Sequence, residues 1–477
     1  MFFKHIYEKG LAQSSYIIGC QATGEAVVID PKRDIEEYIK IAEQENLKIT
    51  HITETHIHAD FLSGSRELAN STGAQILLSN EGGDDWQYQF EHKGLYDGEI
   101  FKVGNLSFRV IHTPGHTPEH ISFLLTDTAA STKPIMFFSG DFVFVGDIGR
   151  PDLLEEAAGF VGTREISAKQ MFSSLKKFKS LPDYIQVWPA HGAGSACGKS
   201  LGAVPSTTVG YEKLVNWAMN IESEEEFVKT LLEGQPEPPK YFGMMKKLNK
   251  VGPQILGGVP HPGRLTFPQF NEAIKNGLKI VDTRNKLSFA GGHVPGSINI
   301  QDNSSFSTWA GWILNYKDPF VLIAADNRIE EITKALLRIG LDNVYGYVND
   351  MDAWSNAGHE LHIVKQLSCC ELKNLIDSAE KDFEIIDVRG KSEYQAGHIE
   401  NARNIHVGYL IENLDKLSKE KQYVLNCASG DRSSLAASIL VGNGYKNVYN
   451  LTGGYNTWLR DYPTCKEPIK ELEELEV

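Results

Sequence analysis

Over the first 210 or so positions, short apolar, β-branched runs at 16–18, 26–29, 49–53, 108–111, 135–139 and 185–188 alternate with stretches of helical spacing. Runs of that length predict strands, and strands interleaved with helices predict a layered α/β domain. From 211 to 232 the spacing is helical, and Gly234, Gln235, Pro236, Glu237, Pro238 and Pro239 cannot continue it, which makes them the best linker in the chain.

The remainder repeats itself. Val281-Asp282-Thr283-Arg284 returns as Ile386-Asp387-Val388-Arg389, and Gly292-His293-Val294 as Gly397-His398-Ile399, each 105 positions later. Val344-Tyr345 before Trp354 returns as Val448-Tyr449 before Trp458. Each copy has a strand ending in Asp-x-Arg, a middle strand (320–323 and 423–426) running into a turn and helix, and a late strand before tryptophan. That order predicts two small α/β domains with mostly parallel sheets. Three domains are therefore expected, at 1–245, 255–360 and 365–477.

Length and charge narrow the function. A chain of 477 residues is too long for one core. A formal charge of -15 disfavours nucleic acid and anionic membrane as partners. No stretch approaches roughly 18 consecutive apolar residues, and the start, MFFKHIYEKG, has no long apolar run, so a cytoplasmic location is expected. Whether the chain forms homo-oligomers stays open. The cysteines at 20, 197, 369, 370, 427 and 465 form neither a thiolate metal knuckle nor a secreted disulfide pattern, so any that matters should be a reactive thiol.

Thr55-His56-Ile57-His58-Ala59-Asp60-Phe61 follows an apolar strand and precedes a turn at Ser63-Gly64-Ser65. A His-x-His pair recurs by chance, but His112-Thr113-Pro114-Gly115-His116 and Gly140-Asp141 also stand just after predicted strands, where open α/β folds gather their chemistry. Together with Gly149-Arg150-Pro151-Asp152 and Pro189-Ala190-His191-Gly192, these elements make the first domain resemble the metallo-β-lactamase superfamily, in particular its glyoxalase II and persulfide dioxygenase branches. The resemblance implies an αββα sandwich. Two-metal members carry a histidine where this chain has Phe61, whose ring has no lone pair to donate, so the second site has lost a ligand and one metal is favoured. For the persulfide dioxygenases the resemblance implies one Fe(II) held by residues matching His56, His116 and Asp141, with His58 turned away. Asp60, His191 and His58 would support that centre from behind, and Arg150 with Asp152 would form an ion pair that fixes a loop. Cys197 lies in a small-residue loop with room for an exposed thiol, and Lys199 could stabilise its thiolate; it is a candidate sulfur acceptor, or else a packed core cysteine.

In the second copy, Cys427-Ala428-Ser429-Gly430-Asp431-Arg432-Ser433 joins a strand to a helix start. Backbone N–H groups, the helix dipole and Arg432 all favour an anionic sulfur there. With Asp387-Val388-Arg389, Glu393-Tyr394, Gly397-His398-Ile399 and Gly453-Gly454 before Trp458, this copy resembles an active rhodanese domain. The first copy places Ala324 at the cysteine position and resembles an inactive rhodanese, a spacer and docking surface. The Cys369-Cys370 pair between the copies is read as structural. Joined in one chain, the resemblances imply oxidation of a low-molecular-weight thiol persulfide by dioxygen to sulfite and thiol, with sulfane-sulfur transfer through Cys427 making or consuming thiosulfate. The competing expectation is a glyoxalase II-like thioester hydrolase with a rhodanese-like binding module.

Overall fold

A computed structural model describes residues 1–156, 162–199, 201–349, 351–378 and 382–462; Cys465 lies outside them. The chain divides into two compact units, Met1–Pro260 with Thr333–Leu341, and His261–Ile332 with Asp342–Val477. No helix among the described residues is long and apolar enough to cross a membrane.

The first unit contains two six-stranded sheets. One runs in order through Phe2–Glu8, Gln13–Cys20, Glu25–Ile29, Lys48–Thr53, Gln75–Ser79 and Lys93–Leu95, antiparallel over its first three strands and parallel beyond them. The other runs through Ile100–Val103, Leu106–His112, Ile121–Asp127, Met136–Gly140, Gln186–Pro189 and Thr207–Thr208. Strand side chains alternate between faces. Tyr16, Ile18, Val27 and Ile29 accordingly meet Phe108, Val110, Phe123 and Phe138 between the sheets. Ile17, Ala26 and Val28 point the other way, against Tyr38, Ala42 and Leu68 of the helices Glu36–Gln44 and Ser65–Thr72. Phe137 and Val187 likewise meet Met171, Leu175 and Phe178 of Arg164–Lys179. Burial on both faces explains why these strands read as unbroken apolar runs. The architecture is an αββα sandwich.

The helical spacing over 211–232 resolves into the helices Val209–Val215 and Glu224–Leu232 around a short 3-10 turn, Trp217–Met219. Asn216 accepts from the amide of Ala218 at 3.1 Å and Ser223 from that of Glu226 at 3.3 Å, so each side chain caps a new start where one continuous helix was expected. The Pro-rich stretch leads into another helix, Phe242–Val251, within the same unit.

The second unit holds the two repeats, each around a parallel sheet. The first sheet has the order Ile298–Asn299, Lys279–Asp282, Phe320–Ile323, Val344–Val348. The second has Lys365–Leu367, Val448–Leu451, Gln422–Asn426, Phe383–Asp387, Arg403–Asn404. A single bridge from Arg264 to Tyr347 stands in the first copy where the second has its outermost strand Lys365–Leu367. The internal repeat is repeated in the hydrogen bonds. Arg284 forks Asp282 and donates to the Gly292 carbonyl, while Arg389 forks Asp387 and donates to that of Gly397. Trp354 and Trp458 sit in the matching cores.

Candidate metal centre

The loop after Lys48–Thr53 is held by Asp30, the residue just beyond the neighbouring strand Glu25–Ile29. Its carboxylate accepts from the Thr55 amide at 2.7 Å and hydroxyl at 3.0 Å, and contacts His58 Nε2 at 3.0 Å. Ile57 N donates to Glu119 at 2.8 Å. The second histidine is thereby fastened to Asp30, while His56 Nε2 stays free of any hydrogen bond.

His116 arrives from the loop after Leu106–His112, with its Nδ1 on the Arg150 carbonyl at 2.9 Å. Asp141 follows Gly140, whose φ of +57° and neighbours leave no room for a side chain: a Cβ there would lie 2.5 Å from His120 Nε2. The Asp141 amide donates to that same His120 nitrogen at 3.0 Å. His191 turns its Nδ1 to the Ala12 carbonyl at 3.1 Å. Fixing one ring nitrogen presents the other inward.

What converges is one buried group of donors. Asp141 Oδ2 lies 3.5 Å from His116 Nε2 and 4.0 Å from His56 Nε2, and its Oδ1 lies 3.4 Å from His191 Nε2. His191 Nε2 is also 3.4 Å from Asp60 Oδ2. His56, His116 and Asp141 could hold a metal ion, and so could Asp60, His191 and Cys197. The Nε2 atoms of all three histidines and the carboxylate oxygens of Asp60 and Asp141 are buried without a hydrogen-bond partner. Buried polar atoms are almost always paired, so this collection fits a cation better than it fits a closed core.

Electrostatics agree with a ligand set. Burial, and then the charge of His58, holds His56 well below the usual imidazole range; burial and Lys246 do the same for His116, so both offer neutral lone pairs. Burial raises Asp141 to about 6, Asp60 adding to the shift and His191 opposing it. His58 behaves differently: burial lowers it, but Asp30 outweighs that and brings it to about 9.

For Cys197 the sequence left an exposed thiol and a packed one both open. It is buried, not exposed, and burial with the nearby carboxylates of Asp141 and Asp60 pushes its thiol well above the usual range. Lys199 Nζ bonds the Thr230 carbonyl at 2.7 Å, and the charges that act on the thiol are those of Asp141 and Asp60. The second cluster has three donors, the Cys197 sulfur joining Asp60 and His191. Arg150 and Asp152 do form a buried ion pair, with Nε to Oδ1 at 2.8 Å.

Sequence reasoning missed Asp30, Glu119, His120 and Lys246. Asp30 closes an apolar strand at a φ of +51°, a signal that could have been read. Lys246 could not have been found, because it lies beyond the Pro-rich stretch in an ordinary-looking helix. Burial lowers its pKa to about 8, with Glu119 opposing the shift.

In the second unit, Cys427 is buried at the end of Gln422–Asn426. Gly430 N donates to its sulfur at 3.1 Å and Ser433 Oγ at 3.4 Å. Gly430, at a φ of +94°, turns the loop into the helix Asp431–Gly442. Arg432 was expected to serve the sulfur; its guanidinium forks the Glu393 carboxylate at 2.6 and 2.8 Å, with Cys427 still in its field. The first copy reaches this loop: Lys286 Nζ donates to the Ser429 carbonyl at 2.8 Å and to Asp431 at 2.7 Å. Its own strand Phe320–Ile323 ends at buried Ala324, which offers no nucleophile. Cys369 is buried and Cys370 exposed, and neither is in a disulfide.

Residues 9–191 match the family described as the metallo-beta-lactamase superfamily, and residues 266–357 and 368–461 each match the rhodanese-like domain. The crystal structure of a metallo-beta-lactamase from Staphylococcus aureus subsp. aureus COL is 47% identical, with a TM-score of 0.68, covering 72% of this chain and 98% of that one. A hydroxyacylglutathione hydrolase of Prochlorococcus marinus (strain MIT 9211) is 30% identical over 216 residues, 45% of this chain and 72% of the relative. A probable polyketide biosynthesis zinc-dependent hydrolase, BaeB, of Bacillus velezensis is 27% identical over 224 residues, 46% of this chain and 88% of the relative.

Proposed function

The chain belongs to the metallo-beta-lactamase superfamily and carries two rhodanese-like domains behind its metal-binding domain, and on that premise we propose that it oxidises a low-molecular-weight thiol persulfide and transfers sulfane sulfur through Cys427. The observation that carries the reading is the buried set His56, His116 and Asp141, two neutral imidazoles and a carboxylate with unpartnered donor atoms, in one chain with a cysteine whose sulfur accepts from Gly430 N and Ser433 Oγ. Those three residues would hold one Fe(II), a ligand set that leaves coordination positions open. Bound there, iron would supply the redox chemistry between substrate sulfur and dioxygen, for which zinc has no second oxidation state.

The balance is RSSH + O2 + H2O → RSH + SO3(2−) + 2H+. In this reading Asp60 and His191, 3.4 Å apart beside Asp141, would accept a released proton. The carbonyls of Arg150 and Ala12 keep His116 and His191 in their tautomers. At the second site, Cys427–S–S(−) + SO3(2−) → Cys427–S(−) + S2O3(2−), with the Gly430 N–H and the Ser433 hydroxyl receiving the charge on the leaving thiolate. Run in reverse, the same step loads Cys427 from thiosulfate.

A second reading has its own support: Asp60, His191 and Cys197 adjoin the first cluster, and the relatives named above are hydrolases. Two metals there could activate water against a thioester. Phe61 removes one donor from that arrangement. The test is one preparation, assayed in parallel for persulfide-dependent oxygen uptake and for hydrolysis of a glutathione thioester. Uptake without hydrolysis supports the dioxygenase, and hydrolysis without uptake supports the alternative.

A further inference from the structure

The helix Phe242–Val251 buries one stripe, Phe242, Met245, Lys246 and Asn249. Residues three and four apart share a helix face. Asn249 fastens that face to the His56 loop: its Nδ2 donates to the carbonyls of His58 at 2.9 Å and Phe61 at 2.8 Å, and its Oδ1 accepts from Ser63 N at 2.9 Å. Lys246 lies one turn earlier on the same face. Its Nζ is buried and has no hydrogen-bond partner among the described residues, with the Trp86 ring centroid 5.2 Å away.

The ammonium lies within electrostatic reach of the donor cluster. Its field reaches His56, His116, Asp141, Cys197 and Glu119. Lysine is almost never fully buried unless it is paired, and an unpaired ammonium is strongly disfavoured in an apolar interior. Glu119, the carboxylate that could have paired with it, spends Oε1 on Ile57 N and leaves Oε2 without a partner. The unused N–H donors of this buried ammonium call for an anionic acceptor. Asp60 and Asp141 would repel an anion from the cavity unless a positive group offset them.

We propose that Lys246 is the anion-binding group of the metal cavity and holds the charged end of a small sulfur anion, a persulfide before the reaction and sulfite after it. The identity of the anion rests on the persulfide reading above. The existence of the anion site does not.

The probe is sulfite, titrated calorimetrically into full-length, iron-loaded protein without oxygen. Lys246→Met keeps the buried stem and removes the charge. It should weaken sulfite binding about tenfold or more, as expected for a lost hydrogen bond to a charged group, with iron content unchanged, and Lys246→Arg should restore most of the affinity. Unchanged sulfite binding in Lys246→Met with iron retained overturns the assignment. If Lys246→Met loses its iron, the readout becomes the Lys246 Nζ resonance of wild-type, zinc-loaded protein with 15N-labelled lysine. Movement of that resonance on adding sulfite supports the site, and a stationary resonance overturns it. Neither measurement needs turnover, so absent oxygen uptake would remove the dioxygenase reading and leave Lys246 to be judged by binding alone.

Discussion

His58 places its Nε2 3.0 Å from Asp30 Oδ1 and, although it stands only two residues from His56, is not one of the three residues, His56, His116 and Asp141, whose donor atoms group closely enough to hold one ion. Asp30 also fixes Thr55, so one carboxylate holds the residue before the first donor and the histidine two residues after it. His58→Ala should therefore keep its metal, with affinity lowered about 10- to 100-fold as for a lost supporting partner, while His116→Ala should lose it. Metal analysis after dialysis decides, and equal loss in both variants would place His58 among the ligands.

Cys427 accepts from Gly430 N and Ser433 Oγ and is the only candidate sulfur nucleophile in either copy's strand-to-helix loop among the described residues. Cys427→Ser should reduce thiocyanate formation from thiosulfate and cyanide to background and leave oxygen uptake with free persulfide intact. Oxygen uptake that vanishes with iron retained would mean that sulfur must pass through Cys427 before reaching the metal.

Lys286 gives the first copy a part in that loop, through Ser429 and Asp431. Lys286→Met should lower sulfurtransferase turnover about tenfold, the scale of one lost charge-assisted hydrogen bond, and Lys286→Arg should recover part of it. Wild-type turnover in Lys286→Met would return the first copy to the role of a passive spacer.

The sequence carried the layered α/β plan because buried strands leave unbroken apolar runs, and the repeat because Asp-x-Arg and Gly-His recur at a fixed interval. His56, His116 and Asp141 were named as ligands, and Asp60 and His191 as their support, through the motifs that carry the family resemblance, and the structure brings the donor atoms of these residues into one buried group. Lys246 was not legible, since its importance comes from the enclosure of its ammonium, and enclosure depends on contacts between distant segments. Cys197 stayed undecided for a similar reason: a run of glycine, serine and alanine fits an open loop as well as a closed one, and only the fold shows the thiol to be buried.

Burial of Cys197 sharpens its test. If it accepts sulfur from the cavity, Cys197→Ser should change the sulfite to thiosulfate ratio with iron and Cys427 activity retained. If it only fills the core, the variant should lose about 1 to 3 kcal/mol of stability with no selective change in products. Mass spectrometry after a brief persulfide pulse reads the modification directly, and an unmodified Cys197 with an unchanged ratio would rule out the relay.

The most direct measurement is elemental analysis of anaerobically purified protein, followed by oxygen uptake on the same sample with and without a thiol persulfide. The account predicts about one iron per chain, bound through two imidazoles and a carboxylate, and oxygen consumed only when persulfide is supplied, with sulfite formed. Two zinc ions per active chain, with no oxygen consumed, would contradict it.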